Sequence, residues 1–196
     1  MPYQYFITYK PFQVLSQFSP SEGKATLSAF CKVPSDVYPL GRLDYDSEGL
    51  LLLSNDPGLN HRLLHPSFRH EREYWVQVEG KATTEALQAL EAGPIISLEG
   101  KSYHTKPCTA EAFDTEPLVP DRVPPIRFRR AIPTSWIRLV LTEGKNRQVR
   151  RMTAKVGLPT LRLIRYRVEQ VRLEGLAPGD CIRLDGPVLF ERLFGR

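Results

Sequence analysis

Residues 41–56 read Gly-Arg-Leu-Asp-Tyr-Asp-Ser-Glu-Gly-Leu-Leu-Leu-Leu-Ser-Asn-Asp. Arg42, Asp44, Asp46 and Glu48 put four charges into seven residues, and Leu50 to Leu53 follow as an unbroken apolar run. Such a run beside turn-forming residues fits a buried strand, although periodicity alone leaves a short helix open. Asp44 is therefore expected in a tight loop anchored in the core, where a rigidly held carboxylate can act on a substrate. A solvated turn without chemistry is the plain alternative. A second is a carboxylate pair, Asp44 with Asp46 or Glu48, cleaving a glycosidic bond by hydrolysis. Calcium is excluded: an EF-hand loop that starts at Asp44 needs a bidentate Glu at its twelfth position, and that position is Asn55.

The elements that must hold this loop can be read in chain order. Tyr3 to Tyr9 alternates as a strand does and ends at Lys10-Pro11. Thr26 to Cys31 is expected as a short helix, and Val37 to Leu40 as a strand entering the Asp44 loop. Asp56 caps a helix with Pro57 at its first position, with Leu59, Leu63 and Leu64 toward the core. His61 and His65 lie four apart on that helix, but no third ligand follows with metal spacing, so no metal site is expected. Tyr74, Val76 and Val78 alternate within the strand Glu71 to Gly80. Thr83 or Thr84 caps a helix that Gly93 closes. Residues 114–133 carry Pro117, Pro120, Pro124, Pro125 and Pro133 with Arg127, Arg129 and Arg130, which predicts a long loop or arm. Trp136 to Leu141 is a strand, and Asn146 can cap a helix running to Lys155 before Gly157. A turn at residues 175–179 separates two final strands.

The chain of 196 residues is 41% hydrophobic and 25% charged, enough for one large domain or two small lobes of an ordinary globular protein. No apolar run approaches the roughly 20 residues of a membrane helix, and the N-terminus has no signal-like pattern. Cys31, Cys108 and Cys181 are odd in number and far apart, which predicts reduced, buried thiols in a cytoplasmic protein. Net charge is +5, yet residues 127–167 hold twelve Lys or Arg against one acid, Glu143, so that segment is +11. The asymmetry points to a polyanionic partner, a nucleic acid before any other.

Gly41-Arg42-Leu43-Asp44 followed by Ser47-Glu48-Gly49-Leu50-Leu51 resembles the catalytic motif of pseudouridine synthases of the RsuA family. The resemblance covers roughly residues 3–186. Lys10-Pro11 with Val14-Leu15-Ser16-Gln17-Phe18 is similar to the family's first motif. Gln13, where many relatives carry Gly, makes the chain most similar to the RluE branch, which acts on large-subunit ribosomal RNA. The resemblance implies that Asp44 is the catalytic carboxylate. It implies that Tyr74, in the family's Lys-x-Tyr motif with Arg72 for Lys, stacks on the base. Arg150, after Gln148-Val149, is the implied basic partner that would keep Asp44 ionised. Leu161 would pack under the target uracil, and Arg42 would contact the RNA backbone or fill the flipped-out gap. Lys145, Arg147 and Arg151, around the start of a helix, suit phosphates.

These expectations make the chain a single α/β (α+β) catalytic domain. A mixed, largely antiparallel central sheet with flanking helices would form two lobes around a basic catalytic cleft. No S4-type domain is expected before Tyr3, so RNA capture would rest on residues 127–167 and the arm. The expected activity is conversion of a specific uridine to pseudouridine in ribosomal RNA, most fittingly 23S, by a cytoplasmic monomer without cofactor. A non-catalytic RNA-binding module is the remaining alternative.

Overall fold

The computed structural model describes residues 2–126 and 132–195. Arg127, Arg129 and Arg130 of the proline-rich stretch lie outside the described residues. The chain divides into two compact units: Met1–His70 with Arg165–Arg196, and Glu71–Ile164.

The first unit begins with β1 (Tyr5–Lys10), β2 (Val14–Leu15), β3 (Ala25–Thr26), β4 (Tyr38–Pro39) and β5 (Glu48–Ser54). Every residue of β5 is buried, which is why its leucines run on instead of alternating with polar residues. β5 pairs antiparallel with β1 from Tyr5 opposite Ser54 to Lys10 opposite Gly49. β4 also pairs with β5, and its chain continues directly into the Asp44 loop. Helix α1 (Pro57–Leu64) starts as expected, with Asp56 Oδ1 accepting from the Gly58 and Leu59 amides at 2.9 and 3.1 Å.

The second unit holds β6 (Arg72–Glu79), α2 (Thr84–Glu91), β7 (Ile95–Leu98), β8 (Lys101–His104), β9 (Thr109–Ala112), β10 (Thr134–Leu141) and α3 (Gln148–Lys155). β10 is paired antiparallel on both sides, with β6 and with β9. Its inward residues Ile137, Leu139 and Leu141 meet Leu90, Val149 and Met152 in one buried cluster. β7 and β8 form a hairpin closed by Glu99 and Gly100, both at positive φ, as a two-residue turn matched to strand twist requires. The described part of the Pro-rich stretch has no regular structure, but it is anchored. Pro120 and Leu161 carbonyls accept from Arg162 and Arg122, and Trp136 donates to Glu116.

The chain returns to the first unit within β11 (Thr160–Val168), then forms β12 (Val171–Arg172), β13 (Cys181–Leu184) and α4 (Gly186–Phe194). β13 pairs antiparallel with β1, opposite the edge β1 gives to β5. The fold is thus α/β with mostly antiparallel strands; β2 and β3 form a short parallel pair.

Four expectations change. Leu64 is 40% exposed rather than core-facing, because α1 ends there and turns into a short 3-10 segment, Pro66–Phe68. The predicted helix at 26–31 contracts to a 3-10 turn, Leu27–Ala29. Asn146 does not cap α3; Arg147 holds the cap position in a left-handed conformation with no side-chain cap bond. Cys31 and Cys181 are not two reduced thiols but a disulfide, their Cα atoms 5.3 Å apart. The pairing of β13 with β1 at Thr8 opposite Cys181 helps bring residues 150 positions apart together, which no spacing rule reveals.

Gly49 is the tightest backbone approach around β5. A Cβ there would lie 2.4 Å from the Arg165 carbonyl oxygen, and φ is +112°. Gly49→Ala should therefore lower stability by at least about 2 kcal/mol. Gly144→Ala, with nothing within 4 Å, should change it by under about 0.5 kcal/mol. Urea denaturation of both variants checks the contrast; equal midpoints would contradict it.

Candidate active site

Asp44 lies in the loop between β4 and β5 and is half-buried. Four hydrogen bonds hold this loop. Ser16 Oγ, itself buried, donates to the Leu43 carbonyl at 2.8 Å and accepts from the Leu43 amide at 3.0 Å. The Gln13 amide donates to the Tyr45 carbonyl at 2.9 Å, and the Ser47 amide closes the turn on the Asp44 carbonyl at 3.0 Å. The residue before the carboxylate is thus fixed through both of its peptide groups. Such fixing is what a preorganised site needs. Arg42, two residues before Asp44, points its exposed side chain to solvent.

The electrostatics of this loop centre on Lys10, which the sequence marks as the end of a strand and part of the first motif but not as a charge beneath Asp44. Its side chain is wholly buried, and Nζ donates to the Val14 and Pro11 carbonyls at 2.7 and 2.9 Å. Burial pulls the ammonium down to about 7, against the upward pull of Glu48, Asp46 and Asp44; Arg165 adds a smaller downward push. Glu48 is buried at the start of β5, and Arg165 Nε donates to the Leu50 carbonyl at 2.8 Å. Asp44 therefore sits in a loop with a compact group of buried charges beneath it. The signal for Lys10 was its place between an apolar strand and a proline, where the next residues turn back over it.

Tyr74 and Arg150 belong to the second unit, as do Lys145, Arg147, Arg151 and Leu161. Tyr74 is half-buried on β6, opposite Leu139 of β10, and packs on the apolar cluster. Arg150 is half-buried in the first turn of α3, and Leu161 is half-buried on β11. The loop leading to α3 is clamped by Glu143, which sequence reasoning counted only as a lone acid. Its carboxylate accepts from the Tyr103 hydroxyl at 2.6 Å, the Lys106 amide at 2.8 Å and Gln148 Nε2 at 2.6 Å. Burial alone would raise the Glu143 carboxyl, but these donors outweigh it and hold it below the usual range. The same bond pushes the Tyr103 hydroxyl up to about 12. Gln148 Oε1 accepts from the Lys145 amide, so one side chain ties both ends of this loop. Lys145 and Arg147 are exposed, Lys145 lying over the Tyr103 ring at 5.2 Å. Arg151 donates to the Ser97 carbonyl and to Asn146 Oδ1.

The basic segment is less of a surface than its charge suggests. Arg162, Arg165 and Arg167 on β11 are each under a tenth exposed. Arg138 is held by Glu73 at 3.1 Å and Glu111 at 2.7 Å. Among the described residues no group of three metal-ligating side chains is found, and no helix is long and apolar enough to cross a membrane. Cys108 is half-buried, its thiol pushed up to about 11 by burial, which makes it a poor nucleophile.

The Lys10 ammonium gives a signed pH effect. It titrates near 7 in the folded protein and near 10.5 when unfolded. Between those values the unfolded state binds the extra proton, so this group's contribution to stability rises with pH from about 7 to 10.5 and is least below 7. Lys10→Met cannot titrate and leaves two carbonyls without their donor. It should be less stable than the parent at neutral pH, and the gap should widen toward pH 10. Denaturant unfolding at several pH values checks this; a gap that narrows with pH contradicts it.

Comparison with known proteins accords with this geometry. Residues 4–155 match the family model described as RNA pseudouridylate synthase. The chain is 50% identical over 171 residues to ribosomal large subunit pseudouridine synthase E of Xanthomonas axonopodis pv. citri, covering 86% of this chain and 87% of that protein. It is 47% identical over 178 residues to the protein of the same name from Vibrio vulnificus, covering 91% and 74%. A crystal structure of a pseudouridylate synthase superposes with a TM-score of 0.78 at 27% identity, over 98% of this chain and 74% of that one. With a match that takes in the clamped Asp44 loop, Tyr74 and Arg150 alike, the chain belongs to the RNA pseudouridylate synthase family.

Proposed function

We infer that this protein converts a uridine of large-subunit ribosomal RNA to pseudouridine. The observation that carries the reading is the 50% identity, along nearly the whole length of both chains, to a large-subunit pseudouridine synthase. The reading includes action as a cytoplasmic monomer, and 23S RNA as the substrate.

The reaction breaks the bond between ribose C1′ and uracil N1, turns the base, and joins C1′ to C5. The C5 proton leaves and N1 gains one, so mass and oxidation state are unchanged. A base inside a duplex cannot be reached, so the uridine must be unstacked and turned out. We assign the carboxylate beside the sugar to Asp44, whose neighbour Leu43 is held through both peptide groups by Ser16. A loop fixed in this way contributes little reorganisation at the moment of reaction. Tyr74 is assigned to stack on the base and present its hydroxyl. Arg150 is assigned as the cation that keeps Asp44 ionised once RNA excludes water. Arg42, Lys145, Arg147 and Arg151 are assigned to the RNA backbone, and Leu161 to the underside of the uracil.

Incubation with unmodified large-subunit RNA, followed by chemical mapping of pseudouridine, tests the function. Asp44→Asn should abolish turnover, by more than about 10³-fold, while RNA affinity stays within about twofold, since only one charge on a nearly isosteric group is lost. Substantial turnover by this variant contradicts the assignment of Asp44.

Tyr74→Phe keeps the stacking face and loses the hydroxyl, so its rate should fall by a larger factor than its affinity. Arg150→Met should slow single turnover at saturating RNA, and Arg150→Lys should recover part of the rate by restoring the charge without the planar fork. A Met variant as fast as the parent would leave Arg150 as a phosphate contact alone.

A further inference from the structure

The sequence from Pro57 to His70 contains no acid, two Arg and three of the chain's four His. In the fold these residues make one exposed aromatic and cationic hook at the end of α1. His61, Arg62, Leu64, His65, Phe68 and Arg69 are all exposed, Phe68 at 43%. The Phe68 ring lies stacked beside His70 at 6.0 Å between centroids and meets His61 and His65 edge-on, each at 6.1 Å. His61 and His65 are themselves 5.2 Å apart.

The hook is rigid from below. Buried His70 uses both ring nitrogens, one toward Glu169 Oε1 at 2.8 Å and one toward the Arg62 carbonyl at 3.1 Å. The Arg62 guanidinium lies 3.5 Å over the Phe194 ring. His65 Nδ1 and Ser67 Oγ, 2.7 Å apart, hold the 3-10 turn that presents Phe68. An exposed flat ring among imidazoles, in a segment that carries two exposed arginines and no acid, is the chemistry that unpaired RNA meets: a face for a base and cations for phosphate.

The hook also adjoins the catalytic loop. Leu64 Cδ2 comes within 3.0 Å of where a Cβ on Gly41 would lie, and Gly41 begins the segment that carries Asp44. Gly41 to Asp44 spans at most about 11 Å of chain and Leu64 to Phe68 at most about 14 Å, so with the contact between Leu64 and Gly41 the two lie within about ten stacked nucleotides of a single strand. We propose that the α1 hook is a second RNA subsite, in which Phe68 stacks on an unpaired base flanking the target uridine while Arg62 and Arg69 contact the adjoining phosphates. The proposal rests on the pseudouridine synthase reading. It supplies cationic surface that β11 does not, since the three arginines of that strand are buried.

The test uses the full chain carrying Asp44→Asn, so that RNA binds without turnover, and unmodified large-subunit RNA as the probe. Phe68→Leu keeps the apolar bulk and removes the ring, and should weaken binding about tenfold; Phe68→Trp should restore it. Arg62→Gln with Arg69→Gln should weaken binding and flatten the dependence of log affinity on log salt by about 1 to 2. Val188→Ser, at another exposed apolar position, should leave affinity unchanged. Ultraviolet cross-linking of the Asp44→Asn chain should place nucleotide on the tryptic peptide of residues 63–69. Unchanged affinity in Phe68→Leu, an equal loss in Val188→Ser, or cross-links confined to residues 145–151 would overturn the subsite. Thermal unfolding of each variant separates lost binding from lost fold. Pseudouridine formation by the unaltered chain keeps a failed subsite distinct from a failed functional reading.

Discussion

Complete burial of β5 is the constraint on which the unit that carries Asp44 depends. Seven consecutive residues leave water together, two of them the polar pair Glu48 and Ser54 at the ends. A strand enclosed on both faces cannot shift register without moving every leucine. Its start is pinned further by the missing side chain at Gly49, where the Arg165 backbone closes in. Whatever loop enters β5 is therefore delivered to one place, and that loop carries Asp44.

Enclosure of this kind has an electrostatic consequence. Lys10 pairs opposite Gly49, so the same register that buries the leucines buries an ammonium beneath the acidic loop. Its two carbonyl acceptors offset part of the desolvation, and the surrounding carboxylates offset more. The second unit solves a comparable problem differently. There the buried Glu143 carboxylate takes three donors and fixes the loop that begins α3. Both devices hold a short loop by a buried charged group that bonds to several partners around it. Such networks are rigid because any displaced member would be left unsatisfied in a medium of low polarity.

Charge along the sequence and charge on the surface are different quantities here. The +11 segment spends three arginines inside β11 and one in ion pairs of the β6–β10–β9 sheet. Guanidinium groups tolerate this because they can donate to backbone carbonyls, as Arg165 and Arg162 do to Leu50 and Pro120. Lys145 and Arg147 beside α3 are exposed, and the hook after α1 adds a cationic face from a segment with modest formal charge.

The motif from Gly41 to Leu51, the strand it enters, the Asp56 cap and the family were all legible in the sequence, because each rests on local rules. A run of leucines beside turn residues, a carboxylate before proline, and a long motif need no knowledge of distant partners. The roles of Lys10, Ser16 and Glu143 were not legible, since each depends on what the fold lays against a single side chain. Asn146 looked like a cap by type, but Arg147 took the left-handed turn and Gln148 supplied the bond to the Lys145 amide. Leu64 matched the helical period and still faces solvent, because the helix stops there. Cys31 and Cys181 are brought together by the β1–β13 pairing and a shared core. Local sequence determined which elements form and where the family's motif lies. Tertiary structure decided which charges are buried, which cations are exposed and which side chains hold the Asp44 loop, because those depend on long-range contacts that no local pattern encodes.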